Sequence, residues 1–158
     1  MNFKFSTKEG LTIIELIAVV AIIAVLAMIA WGTFYSLRGQ SALDSAAENI
    51  VALLNQARAK TLASEDSSEF GLHFETAKAV MFKGTVYSSA SPDNEVFNLP
   101  SPVEISAVSF VGGGNDVFFE KFSGSASRAG SITLRLKSDA SRNKNIIISS
   151  TGVVYASN

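Results

Sequence analysis

The chain contains no cysteine. That absence excludes a disulfide framework, a Cys-ligated zinc site and a thiol nucleophile, and it leaves the redox compartment open. Histidine is nearly absent too, with His73 standing alone. An excess of one charge is also missing: 13 Lys and Arg stand against 14 Asp and Glu, a net charge of −1. No global polyelectrolyte attraction to nucleic acid or anionic lipid follows from that balance. The N-terminus lacks an ordinary secretory cleavage pattern as well. Its alanines fall at 18, 21, 24, 27 and 30, always three apart, so no A-x-A pair exists.

What the chain does have is a long apolar run. From Leu11 to Trp31 only Thr12 and Glu15 are polar. A helix of that length spans about 30 Å, the thickness of a bilayer's hydrocarbon core. An ionised side chain deep in a membrane costs on the order of 3 kcal/mol, which makes a carboxylate there a functional question by default. Glu15 lies near one end of the run, where the penalty is smaller, but it needs a partner. A plain signal anchor accounts for the run and leaves Glu15 unexplained.

The residues around it carry a resemblance. The stretch "G-L-T-I-I-E-L" from Gly10 to Leu16, behind a short basic leader carrying Lys4 and Lys8, resembles the processing site of the type IV pilin superfamily. The resemblance implies that a prepilin peptidase cuts between Gly10 and Leu11 and methylates the new amino group of Leu11. Leu11 departs from the Phe most common there. It further implies a single-pass subunit of the bacterial inner membrane, with its head outside the cytoplasm, later built into a pilus or secretion pseudopilus. Its implied partners are the peptidase, sibling subunits and an inner-membrane assembly platform.

Cleavage also gives Glu15 a partner in physical terms. The amino group made on Leu11 has a reference pKa of about 8 and is mostly protonated near neutral pH. It lies one helical turn from Glu15, roughly 6 Å along the axis. Among staggered helices Glu15 pairs instead with a neighbour's amino group. Because an unpaired charge in a low-dielectric bundle costs several kcal/mol, such a pair sets an assembly register. Pairing with the chain's own terminus is the alternative.

Beyond the run, Gly32 and Gly39 weaken the helix by about 1 kcal/mol each relative to Ala. From Leu43 the pattern turns amphipathic, with Leu43, Ala46, Ala47, Ile50, Leu53, Leu54 and Ala57 at helical spacing. Burying the four large residues contributes roughly 6–12 kcal/mol at most, so this face packs on something. The helix is expected to end near Ala63. The rest reads as strands: 69–75, where Phe70, Leu72 and Phe74 alternate with Gly71, His73 and Glu75, then 79–84, 95–99, 103–111, 117–122, 131–137, 145–149 and 153–156. The expected architecture is α+β: a long N-terminal helix, half membrane-embedded and half amphipathic, packed on a C-terminal head of antiparallel strands. Its parts are a leader at 1–10, a filament-core helix at 11–31, an amphipathic helix at 32–63 and a β-rich head at 64–158. The stretches "QARAKTLASE", "FGLHFE" and "SITLRLK…RNKNIIISSTGVV" are similar to the GspH/FimT branch of that superfamily, minor pseudopilins and minor pilins.

Chemistry is sparse. His73 falls on the strand face away from the Phe70–Phe74 stripe, as a solvated surface residue would, beside Glu75. The serines lack a His–Asp arrangement, and the glycines at 112–114 lack a strand–helix setting for a dinucleotide. Asp93, Asn94 and Glu95 lack calcium-loop spacing and read as a turn. No enzyme activity, cofactor or metal is expected. In residues 125–158, Arg128, Arg135, Lys137, Arg142 and Lys144 face only Asp139, and such a patch can hold phosphates through salt-sensitive contacts. FimT-like proteins that bind DNA carry a Gly-Arg-x-Arg motif near the end; here the place reads Gly152-Val153-Val154-Tyr155. A solvated sheet edge guarded by cations is the plainer reading, leaving DNA a lesser partner.

Overall fold

Thr12 opens the first helix. Its carbonyl accepts the N–H of Leu16 at 3.1 Å and its Oγ1 accepts the N–H of Glu15 at 3.3 Å, which satisfies one donor that a helix start otherwise leaves unpaired. The helix, α1, runs from Ile13 to Leu62. The computed structural model describes residues 12–157, with the side chains of 29–37 excepted. The chain divides into two compact units at Leu37 and Arg38.

In the second unit the amphipathic face of α1 is buried as its spacing requires. Leu43, Ala46, Ala47, Ile50, Leu54 and Ala57 lose all exposure, and Leu53 packs at the margin. Thr61 extends the same face by one more turn. Wholly buried, it donates to the Ala57 carbonyl and accepts the N–H of Phe70, each at 2.9 Å. Helix and first strand are thereby joined through one hydroxyl.

Eight strands follow: β1 (Phe70–Glu75), β2 (Lys78–Lys83), β3 (Glu95–Asn98), β4 (Val103–Phe110), β5 (Asp116–Phe118), β6 (Gly130–Leu136), β7 (Asp139–Ile148) and β8 (Val154–Ser157). They form two four-stranded sheets, ordered β3-β2-β1-β5 and β4-β6-β7-β8. Every pairing is antiparallel. The α+β architecture expected from the sequence is the observed one. Both inner faces meet the helix in one core, where Leu72, Phe74, Val117, Ile132, Leu134, Ile146 and Ile148 are buried. The rings of Phe74 and Phe110, 6.1 Å apart, join the two sheets. Every residue of this core lies beyond Arg38, so the second unit carries its own apolar interior.

Two strand expectations shift by more than one residue. The final long strand begins six residues earlier than its apolar stretch, at Asp139, because β6 pairs with the polar segment too: Arg135 lies opposite Asn143 and Leu136 opposite Asp139. β5 stops at Phe118, with one further bridge between Phe119 and Ala126. Beyond it Ser123 N–H donates to the Lys121 carbonyl at 2.7 Å. That tight turn sets Phe122 at φ +66° with its side chain 93% exposed. The first sheet is also covered on its outer side. Val80 and Phe82 are buried there under the segment after β2, and a Cβ on Gly71 would come within 2.7 Å of the Phe82 ring. Elsewhere Arg58 Nε donates to the Gly124 carbonyl at 2.9 Å, and a Cβ on Gly152 would sit 1.9 Å from that same oxygen.

Candidate functional site

The first unit presents an apolar surface with nothing of its own to bury it. Ile13 is 80% exposed and Met28 is 77% exposed, and the large apolar residues between them are exposed on every side of the helix. A contiguous apolar surface of this kind marks an interaction site. Counting the described residues alone, no helix is long and apolar enough to cross a membrane. The run at 11–31 that carries that expectation extends beyond the described side chains at both ends.

Glu15 lies in the first turn of this helix. The positive end of the helix dipole favours a carboxylate at that position. The bond to Thr12 uses the backbone N–H of Glu15 and leaves the carboxylate uncommitted to it. Thr12-Ile13-Ile14-Glu15 has the Ser/Thr-x-x-Glu spacing of a capping box, a signal that the pilin-like reading of the same residues passed over. Gly10 and Leu11, the expected cleavage pair, lie outside the described residues.

The basic residues of the C-terminal third do not converge. Arg128 Nη1 donates to the Gly113 carbonyl at 2.7 Å, at the start of β6. Arg135, near the other end of that strand, donates through Nε to Glu104 at 2.7 Å. Arg142 lies 3.6 Å from Asp139. Lys144 stands 2.9 Å from Asp44 on α1. That contact, chiefly its hydrogen bond, holds the Asp44 carboxyl below the ordinary aspartate range. Lys137 is exposed in the β6–β7 turn. Register separates them further: Lys144 sits opposite the core residue Leu134, while Arg135 sits opposite Asn143. Four of the five cations hold their own sheet, helix or turn together.

His73 is more enclosed than a solvated strand residue. Its side chain is 18% exposed and stacks on Tyr87, with ring centroids 3.9 Å apart and planes 8° from parallel. Nδ1 is hydrogen-bonded to Asp116, and Nε2 lies 3.8 Å from Glu75. The reason is the strap after β2, which covers this face and which strand alternation could not foresee. Residues 91–94 form a turn, closed by Asn94 N–H donating to the Ser91 carbonyl, and Glu95 already opens β3. Asn94 Nδ2 donates to the Ser88 carbonyl at 2.8 Å, and Glu95 pairs with Lys60 at 2.9 Å. That hydrogen bond raises the Lys60 ammonium above its ordinary range.

The described parts therefore comprise an apolar helical surface, a carboxylate in the capped first turn of that helix, and a head in which four of the five C-terminal cations are engaged within the fold. No family model and no curated protein matches the chain. Two crystal structures of the type IV minor pilin FimU from Pseudomonas aeruginosa are similar in fold. In one crystal form the TM-score is 0.55 at 14% identity, over 73% of this chain and 93% of that one. In the other it is 0.54 at 13% identity, over 73% and 88%. At such identity the likeness is one of fold.

Proposed function

We propose that this chain is a structural, non-catalytic subunit of a type IV pilus or of the related type II secretion pseudopilus, of the minor-pilin kind. The observation that carries the reading is the conjunction of an apolar helix exposed on every side from Ile13 to Met28 with a head folded like a minor pilin. An apolar helix of that kind is stable only in lipid or among other such helices, and a precursor that is stored in the membrane and then assembled uses both. On this reading a prepilin peptidase cuts between Gly10 and Leu11 and methylates Leu11. Sibling subunits then pack through the 11–31 helix at an inner-membrane platform, with Glu15 setting the register.

The test is intact mass. Co-expressed with an active prepilin peptidase, the chain loses residues 1–10 and gains one methyl group. Gly10→Val blocks the cut, because a β-branched side chain replaces the small residue at the scissile bond. An uncleaved parent beside an active peptidase overturns the reading.

A further inference from the structure

The second sheet ends in two strands, β4 and β8, and β4 borders a cleft of about 590 Å³ whose other wall is Phe74, Glu75, Thr76 and Ala77. The hydrogen-bond phase of β4 shows what it offers there. Lys137 N–H donates to the Pro102 carbonyl and Val111 N–H to the Ala129 carbonyl, both at 2.9 Å, which fixes the positions that face β6. Residues of the opposite phase point away from β6. Ile105 uses that direction, its N–H reaching the Thr76 carbonyl at 2.9 Å. The register shift between Ile105 and Ala107 moves the outward phase on to Val108. Among the described residues no hydrogen bond engages Val108 on that side.

Open edges are ordinarily guarded by charges or proline. Apart from its bulge, β4 has neither guard from Ile105 to Val111. The other edge, β8, is also uncharged, with Tyr155 49% and the adjoining Val153 54% exposed. Strand directions alternate across β4-β6-β7-β8, so β4 and β8 run antiparallel to each other. A second copy displaced sideways without being turned over brings its β8 against β4 in the antiparallel sense the sheet already uses.

We propose that the β4 edge receives β8 of a second copy of this chain, continuing the sheet from one head into the next. A neutral strand suits this cleft, whose one lining carboxylate, Glu75, is already bridged by Lys78 at 3.1 Å. Main-chain hydrogen bonds would supply the affinity, as in other cases of strand addition. The contact is head-to-tail, so it repeats without closing. It rests on the proposed function in one respect, that subunits of a polar filament share an orientation.

The absence of cysteine makes the test clean. With Val108 and, on β8, Val154 and Ala156 in the outward phase, Tyr155 is the residue that falls opposite Ala107 or Ser109 on the same face. The full chain carrying Ala107→Cys or Ser109→Cys in β4 together with Tyr155→Cys in β8 is oxidised in membranes that assemble it. A ladder of dimers, trimers and higher species is expected from a double variant, and none from any single one. Val108→Pro removes the outward N–H and breaks no bond to β6, so it should abolish the ladder. Ala107→Lys in the Ser109→Cys/Tyr155→Cys chain should do the same if proline disturbs folding. No ladder from either pair overturns the inference, as does a dimer from a single variant or coupling to a different protein. Normal peptidase cleavage and assembly without a ladder defeats this contact alone; failure of cleavage defeats the functional reading instead.

Discussion

Thr61 and Phe70 are joined through a buried hydroxyl that has both of its bonds made, accepting from Phe70 N–H and donating to the Ala57 carbonyl at 2.9 Å each. Thr61→Val keeps the shape and leaves the Phe70 N–H without a partner in the core. That loss costs about 1–3 kcal/mol. Denaturant unfolding of the unit from Arg38 onward should show it as a lower midpoint with an unchanged slope.

Glu15→Val separates assembly from folding. The cap at Thr12 uses the backbone N–H of Glu15, so the helix start survives the substitution. Membrane insertion should be unchanged or improved, because a costly charge is gone. Co-purification with filaments should fall. Normal incorporation would leave the carboxylate without an assembly role and favour pairing with the chain's own terminus. Thr12→Val, by contrast, should destabilise the helix start by about 1 kcal/mol.

The Lys144–Asp44 pair gives a pH signature. Because Asp44 titrates below its ordinary value in the folded state, the pair stabilises above the unfolded value of about 3.9. The contribution is lost as pH falls through the lower folded value. Parent and Lys144→Met should therefore differ at pH 6 and converge in acid. With Asp44 39% exposed, the difference should not exceed about 1 kcal/mol. Urea midpoints across that range check it.

DNA provides the remaining test. Most of the cations in the C-terminal third are engaged within the fold, so the head should not bind duplex appreciably at physiological salt. Non-specific binders commonly reach only 10⁻⁴ to about 10⁻⁶ M under such conditions. A gel-shift titration showing micromolar binding, abolished by Arg142→Ala with Lys144→Ala, would restore DNA as a partner.

Sequence reached the parts of this molecule whose physics is periodic. The buried face of α1 was legible because Leu43, Ile50, Leu54 and their neighbours repeat at helical spacing. β1 was legible because Phe70, Leu72 and Phe74 alternate. Asp139 to Lys144 was not, since a polar segment becomes a strand here through its partner β6 rather than through its own pattern. Phe122 misled for the opposite reason: its strand-like neighbours run into a turn that needs a left-handed residue. The dispersal of Arg128, Arg135, Lys137, Arg142 and Lys144 depends on register and on Asp44 and Glu104, which are distant in sequence. The capping role of Thr12 was written in the sequence and hidden by a stronger motif.

The turn at Phe122 also makes this chain separable. An aromatic residue held out at 93% exposure is an open target for a chymotrypsin-like protease. One nick there would part β1–β5 from β6–β8, yet β4 belongs to the same sheet as β6, β7 and β8. The two fragments would stay interlaced through β4 and β6, each completing the other, and the pair would serve as a natural split protein for fragment complementation.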